Sequence, residues 1–398
     1  MDVRYPETVN DVIDAGLCIG CGLCEALAPK QWKMRYTAEG KLRPDRIGPG
    51  SDKAILEACP GAIARSNAED TPRTDLIWGG HHRMQEAWAA DPDIRHRAST
   101  GGVLTALGAA LLESGKADFI LHCEADPDAP MRTRWCLSED VDALMMRAGS
   151  RYGPSDTLAG LSAAVSRDQP FAIIAKPCDA GAVRERAKSD PRLERNLVAL
   201  LVMVCGGASD LQKSLNVLSE FNIAEDDLTL FRYRGYGNPG ATKIETSSGV
   251  HTKSYTDMWA DESGWRVQSR CKICPDALGE AADIAAADIW VDGMPTDDEE
   301  ATNGIITRTA RGELLLQEAI AGGQVCVGSN ITTREFDRFQ PHQVRKKHAL
   351  ASRLRGMVSA GSQIYRHEGL RVAELDKPDV EQEQGTKKRV LEGRFNKG

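Results

Sequence analysis

The stretch CIGCGLCEALAP, residues 18–29, holds three cysteines at the spacing of a bacterial ferredoxin and lacks the fourth. That spacing is C-x2-C-x2-C-x3-C-P. Cys18, Cys21 and Cys24 are in place, but Ala28 stands at the fourth position, followed by the expected Pro29. In a two-cluster ferredoxin the run occurs twice, and each fourth cysteine ligates the other cluster. Here the second run has lost its triplet: residues 46–58 contain no cysteine, and what survives is EACPGAI, with Cys59 before Pro60. Cys59 therefore reads as the crossed fourth ligand of the cluster held by Cys18, Cys21 and Cys24. Ala28 reads as the trace of a deleted second cluster. Thiolates at successive two-residue intervals suit a 4Fe–4S cubane, in which each sulfur caps a different iron. A four-cysteine structural zinc site is the alternative, although zinc ligands come more often as separated pairs. Gly20 and Gly22 let the backbone fold closely round a cluster and offer it N–H groups.

The whole chain has 398 residues, is 41% hydrophobic and has a mean hydropathy of −0.38, which fits a soluble globular protein of two or three domains. Its start, MDVRYPETVNDVIDAG, lacks the pattern of a signal peptide. The longest apolar runs, FAIIA and LVALLVMVC, are too short to span a bilayer. A cytoplasmic protein without a membrane span is expected. The net charge of −8 argues against a broad nucleic-acid-binding surface. Eleven cysteines without an export signal point to metal or redox work rather than disulfides. Cys123, Cys136 and Cys326 are expected to pack as small apolar side chains.

Residues 1–75, rich in Cys, Gly and Pro, are expected to form a ferredoxin-like iron–sulfur module that ends in a polar linker, AEDTPRTD (68–75). Residues 76–340 read as an α/β domain. Short apolar strands (ADFILHC, FAIIAKPC, NLVALLVMVC) alternate with helices, among them GGVLTALGAALLESG (101–115), SEDVDALMMRAGS with Ser138 as N-cap, and PSDTLAGLSAAVSRD. This alternation predicts a mixed α/β fold with a substantially parallel sheet, whose ligands gather at the carboxyl ends of strands. LTLFRYRGYGNPGATKIETSSGVHTKSY reads as a β-hairpin insertion. Residues 341–398 read as a helical extension with a charged, mobile tail.

A second set of cysteines lies in this domain: Cys178 in KPCDAGAVR, Cys205 in VMVCGGAS, and Cys271 and Cys274 in SRCKICPD. Two cysteines at strand ends plus one C-x2-C pair make a plausible four-thiolate site. Zinc or a redox dithiol would also suit the pair, and Cys205 alone would suit a buried structural cysteine.

Taken in order, CIGCGLC, STGGVLTAL, AGSRYGPSDTL, KPCDAGAVR, VCGG, CKICPD, ADI…ADIW, NGIITRTARGELLL and PHQVRKKHA resemble the coenzyme F420 hydrogenase/dehydrogenase beta-subunit family. The resemblance runs from about Cys18 to about His348. That family includes F420-reducing hydrogenase beta subunits, 7-hydroxymethyl chlorophyll a reductase and ferredoxin-dependent 8-vinyl reductases. It implies FAD and one or two 4Fe–4S clusters, which makes residues 76–340 a flavin-binding domain. Carried onto this sequence, it implies an inner cluster at Cys178, Cys205, Cys271 and Cys274, besides the ferredoxin-like one. It also implies flavin contacts from Thr100, Gly101, Gly102, Ser150, Tyr152 and Lys176, with Asn303 and Gly304 in the same pocket. Apart from the resemblance, STGG before a helix suits either an ordinary N-cap or a phosphate at the helix N-terminus. No G-x-G-x-x-G fingerprint supports a nicotinamide site.

His96, just before STGG, is a candidate proton donor. His81 and His82 in GGHHR read as solvent-exposed. RYRGYGNPG reads as a hairpin rather than a nucleic-acid patch, and TKKRV as a solvated tail. The expected electron path runs from ferredoxin, or another low-potential donor, through the outer and inner clusters to FAD. From there a hydride goes to an unsaturated small organic molecule. ADIAAADIWVDGMP is loosely similar to the vinyl-reductase branch. The alternatives are an electron-transfer subunit of a larger hydrogenase or dehydrogenase that reduces coenzyme F420, and a non-redox zinc-stabilised binding protein. A partner subunit or homo-oligomer is compatible with each.

Overall fold

FAIIA and LVALLVM are apolar at every position because both faces of their sheet are covered. In the computed structural model they are neighbouring parallel strands of an eight-stranded mixed sheet. The structure describes residues 2–67, 71–259, 266–290, 295 and 300–397. The strands are β1 (Arg83–Ala89), β2 (Phe119–Asp126), β3 (Ala129–Ser138), β4 (Phe171–Ala175), β5 (Leu197–Met203), β6 (Ile284–Asp288), β7 (Asn303–Thr307) and β8 (Val325–Asn330). Their spatial order is β8-β1-β7-β6-β5-β4-β2-β3. The four strands β6, β5, β4 and β2 run parallel. The flanking strands join antiparallel.

Side chains alternate between the two faces with period two. Phe119, Leu121, Phe171, Ile173, Leu200, Val202 and Ala285 share one core, whereas Ile120, Ala172, Ala199, Leu201, Ile284 and Ala286 share the other. α1 (Val103–Glu113) packs on the second face and α2 (Pro177–Ala187) on the first. α3 (Ala310–Ala321) joins α1 on the second face. The first face also receives Cys21, Leu23 and Ala26, so the N-terminal module packs directly against the sheet.

That module starts with the helix Val9–Asp14, closed by a Thr8/Asp11 capping box. The strands Trp32–Tyr36 and Leu42–Arg46 pair antiparallel behind it. Buried Asp52 ties the pieces together, accepting from Val9 N (2.9 Å), Trp32 Nε1 (3.2 Å) and Arg46 Nη2 (2.7 Å). The strand Ile63–Arg65 pairs in parallel with Arg366–Glu368, which lie some three hundred residues later. α4 (Pro341–Ser359) and α5 (Val380–Leu391) follow one another across the same end of the molecule.

Several expectations need correcting. Ser138 does not cap a helix: it ends β3, opposite Ile120, with its hydroxyl 2.8 Å from buried His122 Nε2. Asp140 caps Val141–Met146 instead. The expected hairpin is a three-stranded antiparallel sheet, Leu228–Arg232, Thr242–Thr246 and Gly249–Lys253. The charged tail is helical and held in place: Asp379 caps α5, and Arg355 of α4 reaches Asp376 at 2.5 Å and Glu383 at 3.2 Å. His81 is buried in the strand Gly79–His81, its Nδ1 3.0 Å from Gly79 O. The proposed linker's residues 68–70, and 291–294 of the vinyl-reductase-like stretch, lie outside the described residues. The linker's Arg73–Asp75 pair antiparallel with Gly79–His81.

Candidate functional site

The four cysteines of the N-terminal module line one small apolar cavity together with Val9, Ile19, Met34 and Ile55. Cys21 and Cys24 are buried; Cys18 and Cys59 are half-buried. Two glycines let the loop turn so tightly. Gly20 and Gly22 have φ of +72° and +86°, and a Cβ on either would fall 2.5 Å from Leu42 O or 2.6 Å from Ala159 N. Burial and the neighbouring Cys18 push the Cys59 thiol up to about 12. Deprotonation here calls for a positive charge among the sulfurs, which a metal cluster supplies. Ala28 does not line the cavity; its N–H closes the short helix on Cys24 O at 3.0 Å.

Cys178, Cys205, Cys271 and Cys274 come from three separate segments and act on one another electrostatically. Cys178 lies in the first turn of α2, straight after β4, and Cys205 follows β5. Burial raises the Cys205 thiol to about 11, with Cys271 adding to it. α4 holds these loops: Gln343 donates to Cys205 O (2.9 Å), Lys346 to Gly206 O (3.1 Å) and Arg353 to Lys272 O (2.6 Å). Asp179, next to Cys178 in sequence, also acts electrostatically on Cys21, so it lies within range of both quartets. Among the described residues, no three His, Cys, Asp or Glu side chains converge as ligands of one metal ion must. A cubane spaces its cysteines more widely, because each binds a different iron.

A cluster of hydrogen-bonded polar side chains lies along the carboxyl edge of the sheet. Ser99 and Thr100 precede α1, and Gly101 O accepts from Ala89 N of β1 at 2.7 Å. Ser150 N donates to Ser99 Oγ at 2.6 Å. Thr100 Oγ1 bonds Asp288 Oδ1 at the end of β6. The centre of the group is Arg234, only 3% exposed. It donates to Ser99 O (2.5 Å), Tyr152 Oη (3.0 Å) and Asp288 Oδ2 (3.0 Å). Its guanidinium lies over the rings of Trp290 (4.8 Å) and Tyr255 (5.2 Å). Trp290 Nε1 is buried without a hydrogen-bond partner among the described residues. An orphaned donor, a buried cation and a helix N-terminus in one place are groups that would suit a flavin nucleotide.

The structure thus brings Thr100, Gly101, Ser150, Tyr152 and Asn303 together. Asn303 Oδ1 faces Val103 N at 3.4 Å, and a Cβ on Gly101 would meet Asn303 N at 2.8 Å. Gly102, with φ +74°, opens α1. Gly304 turns to the other face of the sheet, where a Cβ would meet Ile289 and Phe336. Lys176, at the end of β4, donates to Ser155 O (2.9 Å) and pairs with Asp179 (2.8 Å). Burial opposes its charge, but Asp179 outweighs this and holds the amine protonated. His96 is exposed on the helix Pro92–Arg97, edge-on to Tyr236 at 5.6 Å. Arg234 and Asp288 were not anticipated from the sequence. The available signals were an arginine inside RYRGYGNPG and an acidic residue closing a buried strand. An open groove of about 770 Å³ lies elsewhere, along the N-terminal module, lined by Thr8, Lys53, Arg65 and Arg366 among others.

Residues 84–162 match the N-terminal part, and residues 168–332 the C terminus, of the coenzyme F420 hydrogenase/dehydrogenase beta subunit. These matches cover more than half of the chain, which therefore belongs to this family of oxidoreductase subunits. The F420-dependent formate dehydrogenase 1 subunit beta of Methanococcus maripaludis is 26% identical over 254 residues, 61% of each chain. The coenzyme F420-dependent sulfite reductase of Methanocaldococcus jannaschii is 23% identical over 323 residues, 78% of this chain and 47% of that protein. The chain spans 61% and 50% of the length of the two formate dehydrogenase beta subunits it matches. A chain of the F420-reducing NiFe hydrogenase complex of Methanosarcina barkeri shares the fold, with a TM-score of 0.51 and 18% identity over 69% of this chain and 95% of that one. Among the described residues no helix is long and apolar enough to cross a membrane.

Proposed function

We propose that the chain is an iron–sulfur flavoprotein that works as a beta-type electron-transfer subunit, exchanging electrons with a partner subunit and a hydride with coenzyme F420. The observation that carries this reading is the presence, in one fold, of two cysteine quartets and a polar cluster around buried Arg234. Cys178, Cys205 and Asp288 follow or end the adjacent strands β4, β5 and β6, and Asp179 lies within electrostatic range of both Cys178 and Cys21. When bound, 4Fe–4S clusters would supply one-electron steps and FAD would pair them into a hydride. Cys18, Cys21, Cys24 and Cys59 hold the outer cluster; Cys178, Cys205, Cys271 and Cys274 hold the inner one. Thr100, Gly101, Gly102, Ser150, Tyr152 and Asn303 bind the flavin nucleotide, with Arg234 as the buried cation of that polar group. Lys176, at the end of β4 and paired with Asp179, keeps a positive charge that would favour an anionic reduced flavin. His96, exposed on the short helix that precedes Ser99 and Thr100, is the candidate proton donor.

The relatives' names favour this subunit role. One observation favours a second reading: residues 18–59 carry their own ferredoxin-type quartet and lie outside the family match. That suits a self-contained reductase fed by ferredoxin and acting on an unsaturated organic molecule. One set of measurements separates them. Anaerobically purified protein is expected to hold about eight irons, matching sulfide and one FAD per chain. It should reduce F420 when supplied with dithionite. Turnover of an organic substrate with reduced ferredoxin, and none of F420, would select the second reading. A colourless, zinc-containing protein without flavin would defeat both.

A further inference from the structure

We propose that Arg270 is the shared counter-ion of the two cysteine quartets and the bridge between them, an inference that rests on the iron–sulfur reading above. Arg270 is 2% exposed and lies immediately before Cys271. Its Nε and Nη2 both donate to Pro60 O, at 3.2 and 2.8 Å, and Nη1 donates to Ile273 O at 3.4 Å. Pro60 follows Cys59 of the outer quartet, and Ile273 sits between Cys271 and Cys274 of the inner one. One guanidinium therefore joins the cysteine loops of both quartets by hydrogen bonds. The plane is fixed by Tyr365, whose ring centre lies 4.0 Å from the guanidinium carbon.

The charge of this group lacks an ordinary partner. Among the described residues no carboxylate forms an ion pair with Arg270, whereas the buried or half-buried cations Lys176, Lys347, Arg184 and Arg234 pair with Asp179, Glu280, Asp283 and Asp288. Arg308 also bonds only carbonyls, but it lies in the field of Glu280 and Asp276. The groups around Arg270 are instead the Tyr365 ring and the carbonyls of the two cysteine loops, Pro60 beside Cys59 and Ile273 between Cys271 and Cys274. A guanidinium stays protonated even when buried. Burying it unpaired is costly, so the site requires negative charge nearby. Two thiolate-ligated clusters supply that charge. A fixed cation between them stabilises the more negative, reduced form of each and so raises both reduction potentials.

The test is a potentiometric titration, followed by electron paramagnetic resonance, of anaerobically purified full-length protein and two variants. Arg270→Met removes the charge and keeps an apolar stem. Arg270→Lys keeps the charge but loses the planar fork that reaches Pro60. Both midpoint potentials are expected to fall in Arg270→Met, with Arg270→Lys lying closer to the wild type. Unmoved potentials in Arg270→Met, or an equal fall in both variants, would overturn the proposal. Should Arg270→Met lose its iron, iron content decides: retention by Arg270→Lys supports the counter-ion role and equal loss overturns it. The wild type separates this proposal from the one beneath it. No iron in the wild type removes both, whereas about eight irons with unmoved potentials removes only the role of Arg270.

Discussion

Ala28 stands where a ferredoxin places its fourth cysteine, yet it is Cys59 that joins Cys18, Cys21 and Cys24 around their cavity. Cys59→Ala is expected to cost about four of about eight irons, while Ala28→Cys leaves iron content and outer-cluster potential unchanged. Iron and sulfide analysis of the two variants checks this. Asp156 makes a different residue-level case. It opens the turn whose Leu158 N–H donates to Cys21 O at 2.9 Å, and its buried Oδ1 has no hydrogen-bond partner among the described residues. Burial raises this carboxyl to about 6. The folded state therefore favours the proton. The penalty for ionising it sets in as pH rises from the ordinary carboxylate range to about 6, and it persists above that. A shift of this size corresponds to about 3 kcal/mol. Asp156→Asn should melt above the wild type at pH 7.5, with the gap closing towards pH 4.5. A gap that does not change with pH would mean that the carboxylate is not its source.

At the level of elements, the strands that carry Cys178 and Cys205 were legible because a parallel sheet covered on both faces demands unbroken apolar runs. The tail was not legible. DKPDVEQEQGTKKRV is charged enough to suggest a mobile segment, but α5 needs to bury only a narrow stripe, including Thr386 against Gly356 of α4. Ser138 misled for a related reason: a serine before a helix looks like a cap until strand pairing claims it. The tail also supports the inner quartet. Tyr365 Oη donates to Ile273 O at 2.6 Å, and Phe395 O accepts from Ser269 Oγ. Deleting residues 361–398 removes both bonds and the strand paired with Ile63–Arg65. The shortened chain is expected to keep sheet content by circular dichroism but to retain well under half of the full-length iron. Iron content equal to that of the full chain would show the tail to be dispensable.

For the molecule as a whole, the two groups of cysteines were legible because residue type and spacing single them out in the sequence. The polar residues between and beyond them were not. Arg234 and Arg270 are two among 50 lysines and arginines, and only tertiary contact distinguishes them. The insertion that carries Arg234 looked like a surface hairpin, because its sequence shows turn chemistry and not the one side chain it sends inward. The pairing of Ile63–Arg65 with Arg366–Glu368 has a further consequence. A ribosome releases the outer cysteines hundreds of residues before the strand that seals their loop, so the nascent chain carries its ligands long before it has a finished site. On the iron–sulfur reading, cluster delivery therefore belongs after that strand has been made.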